Sequence, residues 1–314
     1  MKRKVCKVGP CTLMVSLPSK WVRNMGIKQG DEMDVEEKDS GLLMSKNIVQ
    51  KEKLITINVT KESKRYIRSQ IGRLYRYGYT KICIIFDDPN LIKLIKDSNN
   101  NLIGADIIDL DNTKCVIKIF SIEDSSSEFD KYFIKIFQTL KYMLDIMRED
   151  INNNEFKREE ILNELRNNNW KLKDYILRNA FLQKIPYEEF SILSTLLFAY
   201  EKIGTNLLGF YRMYLEETKR KINSKKIEHT FDKLNSFIDW FIKSISKKEA
   251  ITHVNESKFR KEMRDYHIFL FNELHNDKTI DHPFLTIVYF IIELLDSTVS
   301  YISVYKNEYD KELE

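Results

Sequence analysis

The side chains that could do covalent or metal chemistry are few and poorly spaced for it. Glu273, His275, Asp277, Asp281 and His282 lie close in sequence. Metal ligands recur at intervals that bring them to one point, whereas these straddle a helix end and a loop, so a polar interhelical turn is the simpler reading. Cys6, Cys11, Cys83 and Cys115 have no C-x-x-C spacing and read as reduced thiols; Cys6 and Cys11 could face each other across a hairpin, but two small strand residues is the simpler reading. The sequence contains no G-x-S-x-G, H-E-x-x-H, G-x-G-x-x-G or P-loop, so nothing points to an activated nucleophile, a zinc hydrolase or a nucleotide cofactor. These residues predict a non-enzyme without cofactor. Charge is more informative. Residues 1–30 hold Lys2, Arg3, Lys4, Lys7, Lys20, Arg23 and Lys28 and no carboxylate, and the next nine hold Asp31, Glu32, Asp34, Glu36, Glu37 and Asp39 against Lys38. The net charge is only +4, so the asymmetry is local. An acid-free basic stretch suits a phosphate backbone; a solvated charged surface has the same composition.

The elements that must position those cations are legible between Lys7 and Met44. Leu13, Val15 and Leu17 alternate with Thr12, Met14 and Ser16, a strand pattern. Pro18 ends it, because proline cannot donate to a ladder. Ser19 is placed to cap a short helix, Lys20 to Met25, and Gly26 to stop it. Lys28-Gln29-Gly30-Asp31 is turn chemistry, Met33 and Val35 restart the alternation, and Asp39-Ser40-Gly41 reads as a hairpin turn before Leu42-Leu43-Met44.

The series G-P-(x)4-V-S-L-P-S-K-W-V, M-G-I-K-x-G-D-x-M-x-V and D-S-G-L-L-M within the first 46 residues resembles the AbrB/MazE/SpoVT swapped-hairpin family. That resemblance implies a small β-rich DNA-binding module built as an interlaced homodimer, because one copy has too few strands to bury a core. It also implies that basic residues of the first strand and the short helix approach the duplex, which here are Lys4, Lys7, Lys20 and Arg23. Arg23 suits a guanine edge and the lysines suit phosphates. Val22 stands where some members carry another arginine, which weakens base readout.

A chain of 314 residues, 31% charged and 43% hydrophobic, allows two or three folded domains. No apolar run approaches the ~20 residues of a membrane span, and Met1-Lys2-Arg3-Lys4 is not followed by an apolar signal region, so a cytoplasmic protein is expected. From Lys53 to Phe120 the pattern predicts a small α/β unit of order βαβαββ. Its strands are Leu54–Val59, Lys81–Phe86 (a continuous apolar run, as in a fully buried strand), Ala105–Leu110 and Cys115–Phe120. One helix runs from Thr60 to Tyr77 with Thr60 as cap, and a second opens at Asp88-Pro89. The first carries Lys61, Lys64, Arg65, Arg68, Arg73 and Arg76 against Glu62, with Tyr66, Tyr75, Tyr77 and Tyr79 interleaved. Such a face could bind nucleic acid or an anionic ligand; tyrosines that pack and arginines that are solvated is the plainer reading.

Ser121 to Glu128 reads as a polar linker. Beyond it an apolar stripe at Phe129, Phe133, Ile136, Phe137, Leu140, Leu144, Met147 and Ile151 has helical period. Further helices are predicted at about 159–184, 187–217, 228–246, 255–274 and 283–309. The halves repeat: Phe129-Asp130-Lys131 as Phe231-Asp232-Lys233, Lys173-Asp174-Tyr175 as Arg264-Asp265-Tyr266, and Glu201 as Glu293. Two three-helix units follow.

Tandem three-helix repeats with a glutamate on each third helix resemble the PhoU family, which regulates phosphate uptake and signalling. That family's third helix pairs a Glu with an Asp four residues on, two carboxylates one turn apart, which suits a hard metal. Here Thr205 follows Glu201 and Ser297 follows Glu293, so no metal site is carried over, and Glu201 and Glu293 are read as interhelical bonding partners. A swapped-hairpin module, a small α/β domain and PhoU-like repeats together resemble a known archaeal architecture of phosphate uptake regulators.

The expected fold is multidomain α+β: a swapped-hairpin β domain (1–50), a small α/β domain (51–122) and a C-terminal all-α pair of three-helix bundles (123–222 and 223–314). The expected function is a homodimeric DNA-binding transcriptional regulator, its helical repeats sensing a signal or docking a partner, with phosphate status as the signal the resemblance implies. Its partners would be double-stranded DNA, a second copy through the N-terminal domain, and a phosphate-signalling or transporter protein. The alternative is an adaptor that binds no DNA and uses the N-terminal domain only to dimerise.

Overall fold

The computed structural model describes residues 3–9, 12–38, 41–45, 52–120, 126–183, 185–216, 224–246, 253–270, 272 and 282–305. They fall into two compact units, Met1–Lys53 and Leu54–Glu314.

In the first unit β1 (Val5–Lys7) pairs antiparallel with β2 (Leu13–Val15), placing Val5 opposite Val15 and Lys7 opposite Leu13. The chain then enters α1 (Ser19–Met25). Ser19 is not the cap that the sequence suggests. Pro18 takes that position at φ −64° and ψ 122°, without a side-chain cap bond, and its carbonyl accepts from the Val22 N–H at 2.9 Å. Proline's fixed φ already suits a helix entry. Gly26 closes α1 at φ 58°, and the Ile27 N–H returns to the Val22 carbonyl at 3.0 Å, the left-handed stop that glycine permits. The Asp31 carboxylate accepts from the Lys28 N–H at 2.8 Å and fixes the next turn. β3 (Asp34–Lys38) and β4 (Gly41–Ser45) form a second antiparallel pair; Asp39 and Ser40 lie outside the described residues, as do Cys11 and residues 46–51.

The second unit begins with the expected βαβαββ order: β5 (Leu54–Asn58), α2 (Lys64–Arg76), β6 (Lys81–Ile85), α3 (Leu91–Asn99), β7 (Ala105–Leu110) and β8 (Lys114–Ile119). The sheet runs β5-β6-β8-β7. β5 and β6 are parallel across the α2 crossover and the remaining pairs are antiparallel. Ile67, Ile71, Leu74 and Tyr75 of α2 join Leu94 and Ile95 of α3 over Ile82, Ile84, Ile117 and Ile119 in one core. β6 is not buried on both sides: Ile82 and Ile84 are buried while Ile85 is 39% exposed, because α2 and α3 pack over the face that Ile82 and Ile84 share. α2 starts at Lys64 rather than at Thr60, since Ser63 accepts from the Tyr66 N–H at 3.2 Å and Lys61 sits at φ 66° in the preceding turn. α3 likewise starts after Pro89, because Asp88 holds a turn by accepting from the Asn90 N–H at 2.9 Å.

Among the described residues six helices follow: α4 (Ser126–Asn153), α5 (Glu159–Leu182), α6 (Tyr187–Glu216), α7 (Ser224–Ser246), α8 (His253–Phe269) and α9 (His282–Tyr305). Helix α4 begins inside the stretch expected to be a linker; residues 121–125 are not described. One apolar core runs through α4 to α9. Lys141 pairs with Asp239 at 2.5 Å, Asn235 donates to Asp145 at 2.6 Å, and Arg148 pairs with Asp232. The partner's number falls as that of α4 rises, so α4 and α7 are antiparallel. Phe137 stacks on Phe241 between them, centroids 5.0 Å apart and planes at 22°. α6 meets α9 through a buried hydroxyl pair, Tyr200 and Thr298, and Trp240 of α7 stacks on Phe259 of α8 at 3.8 Å. Among the described residues no helix is long and apolar enough to cross a membrane.

Candidate nucleic-acid interface

The four cations singled out in the sequence all lie in the first unit. Lys4 precedes β1, Lys7 ends it opposite Leu13, and Lys20 and Arg23 are three residues apart on α1, hence on one side of it. All four are exposed. Arg23 also donates from Nε to the Ser19 carbonyl at 3.4 Å, which steadies its stem. Among the described residues none of the four is in an ion pair, so their charge is available to a polyanion. They sit on short elements, an extended pair and a helix of seven residues, set by Pro18 and Gly26.

The apolar residues beside them are equally uncovered. Val5 is 64% exposed, Leu13 71%, Val15 45%, Val35 54% and Leu42 64%. No residue of Met1–Lys53 whose exposure is described is buried. A lone two-stranded sheet is marginally stable at best, and apolar residues left open on both strand pairs are the kind of surface that binds a partner.

Glu201 of α6 and Glu293 of α9 are engaged otherwise. Lys173 of α5 pairs with Glu201 and lies 3.1 Å from Asp174, which in turn holds Arg76 at 2.8 Å. Arg260 of α8 binds Asp296 at 2.6 Å and His267 Nδ1 approaches Glu293 at 3.2 Å. At the two positions where a second carboxylate would stand, the hydroxyls turn back on their own helix: Thr205 donates to the Glu201 carbonyl at 3.1 Å and Ser297 to the Glu293 carbonyl at 3.0 Å. Glu201 thus answers Lys173 and Glu293 answers His267, each on the preceding helix. No cluster of three or more metal-ligating side chains occurs among the described residues. His275 and its acidic neighbours Glu273, Asp277 and Asp281 lie outside them.

Sequence reasoning missed Arg178. It is 5% exposed, donates to the Tyr75 and Tyr79 carbonyls at 2.5 and 2.9 Å, and lies 4.9 Å from the centre of the Tyr75 ring. Burial pushes its pKa down. The visible signal was an arginine directly after the apolar run Tyr175-Ile176-Leu177. It also missed Arg158, which joins the Asp150 and Glu149 carboxylates at the α4–α5 corner.

Residues 12–52 match the family described as antidote-toxin recognition MazE, bacterial antitoxin. The chain carries a MazE/AbrB-type N-terminal domain. The match includes Lys20 and Arg23, while Lys4 and Lys7 precede it. Neither the curated proteins nor the solved structures contain a match to the chain. Beyond the MazE/AbrB-type domain the chain continues as a small sheet and a helical region.

Proposed function

We propose that the chain is a homodimeric DNA-binding regulator. Two MazE/AbrB-type domains would interlace, cover the exposed Val5, Leu13, Val15, Val35 and Leu42, and double the basic cluster into one face. The observation that carries this reading is the coexistence, within and just before the matched residues, of exposed cations that are in no ion pair among the described residues with an apolar surface that one copy leaves open. The helical repeats would receive the signal; their PhoU-like pattern suggests phosphate status, delivered by a signalling or transporter protein. The role is non-enzymatic and cytoplasmic. A second reading, an adaptor that dimerises through this domain without binding DNA, is favoured by Val22 in place of a base-reading arginine.

Duplex binding by fluorescence anisotropy at two salt concentrations separates the two. Lys20→Ala with Arg23→Ala should weaken binding and make the salt slope shallower by about one per phosphate contact removed. Unchanged affinity and slope would place the DNA face elsewhere; no binding by the parent protein even at low salt would leave the adaptor.

A further inference from the structure

The basic face of α2 is not simply solvated. It forms one wall of a cleft of about 960 Å³, whose other wall is α5 and α6. Lys64, Arg65 and Arg68 line the α2 side; Arg166, Trp170 and Lys173 line the other. Together with Arg76, six cations face three carboxylates, Asp97, Asp174 and Glu201. Two of those acids are already engaged, Asp174 by Arg76 and Lys173, and Glu201 by Lys173. Among the described residues Lys64, Arg65, Arg68 and Arg166 are in no ion pair. We propose that this cleft binds a small molecule carrying two or more linked phosphate groups.

Three features point to such a ligand. First, Arg166 is held ready but not used up. Its guanidinium lies 5.6 Å from the centre of the Trp170 ring and donates to the Asn167 side-chain oxygen at 3.0 Å, while its buried Nε has no partner. Six cations against three carboxylates in a partly dry cleft repel one another, and an anion between the walls relieves that. Second, Lys64 and Arg65 occupy the first turn of α2, a helix of 13 residues with no acid in that turn, so the positive end of its dipole adds to theirs. Third, Gly72 lets α2 approach the opposite wall: a Cβ there would stand 3.3 Å from both Arg76 and Asp174. The volume lies in the range of small-molecule sites and is large for a single phosphate ion. A stiff duplex could reach Arg65 and Arg68 on the rim, but not Lys173, whose side chain is only 4% exposed.

The test is calorimetric titration of the full-length protein at about 0.15 M salt, with sodium tripolyphosphate, ATP and orthophosphate as separate probes. Tripolyphosphate or ATP should bind one per chain and more tightly than orthophosphate. ATP tighter than tripolyphosphate would assign the Trp170 ring to a base; equal binding would assign the site to the phosphates alone. Arg65→Ala with Arg68→Ala, both exposed positions, should weaken binding about tenfold or more, and Lys20→Ala with Arg23→Ala should leave it unchanged. No heat with any probe at roughly millimolar concentration, about the weakest affinity worth assigning, would overturn the proposal. Equal weakening by the α1 pair would do so too. So would an Arg65/Arg68 variant that loses duplex binding while keeping tripolyphosphate, which would make this face a nucleic-acid surface.

Discussion

The two units of the chain place their apolar side chains in opposite ways. In Met1–Lys53 the hairpins carry Leu13 at 71% and Leu42 at 64% exposure, whereas in Leu54–Glu314 Phe137, Phe231 and Phe241 are fully buried. The difference is one of element size. Six long helices present stripes wide enough to close on one another, while strands of three to five residues in two-stranded pairs cannot enclose anything. One unit therefore encloses its apolar side chains within a single copy, and the other leaves its own open.

The sharpest way to break this comparison is to make the open surface unable to pair. Leu13→Asp with Val15→Asp should convert a dimer to a monomer by light scattering and abolish duplex binding, while the helical far-UV signal stays. A dimer that survives would put the self-contact in the second unit. A smaller effect tests the closed unit. Arg178→Leu removes two bonds to the end of α2 and the turn after it, and should lower stability by about 3 kcal/mol in a urea titration without changing the mass in solution. An unchanged urea midpoint would mean that α2 and α5 hold together without it. The smallest effect contrasts thiols of the two units. Cys6 is exposed and should react at once with a thiol reagent. Cys115 is buried, and burial pushes its thiol up to about 11, so it should react only on unfolding. Its pKa is raised above the ordinary 9.0, so the unfolded thiol ionises first. Its contribution is intact below pH 9.0 and is lost as pH rises toward about 11, by at most roughly 1.4 kcal/mol per pH unit. Fast labelling of native Cys115 would contradict its burial.

Much of this architecture could be read from local pattern. The βαβαββ order, the Gly26 stop, the Lys28–Asp31 turn and the helical stripe from Phe133 to Ile151 each follow from period or turn chemistry. The misses were local competitions between neighbouring capping groups: Pro18 over Ser19, Ser63 over Thr60, and the Asp88 turn over Pro89. β6 was misread for a different reason, since an apolar run does not say whether one face or both will be covered.

By itself the sequence determined which residues form elements, which face of each is apolar, and that the first thirty residues hold cations without acids. Periodicity and charge are properties of neighbours along the chain. Only the tertiary structure decided which face meets which. Arg76 finds Asp174 across 98 residues, Lys173 answers Glu201, and the cations of α2 come to face Arg166 and Trp170 across a cleft. A helical stripe specifies that burial occurs but not the partner that supplies it. That choice belongs to the packing of the whole unit.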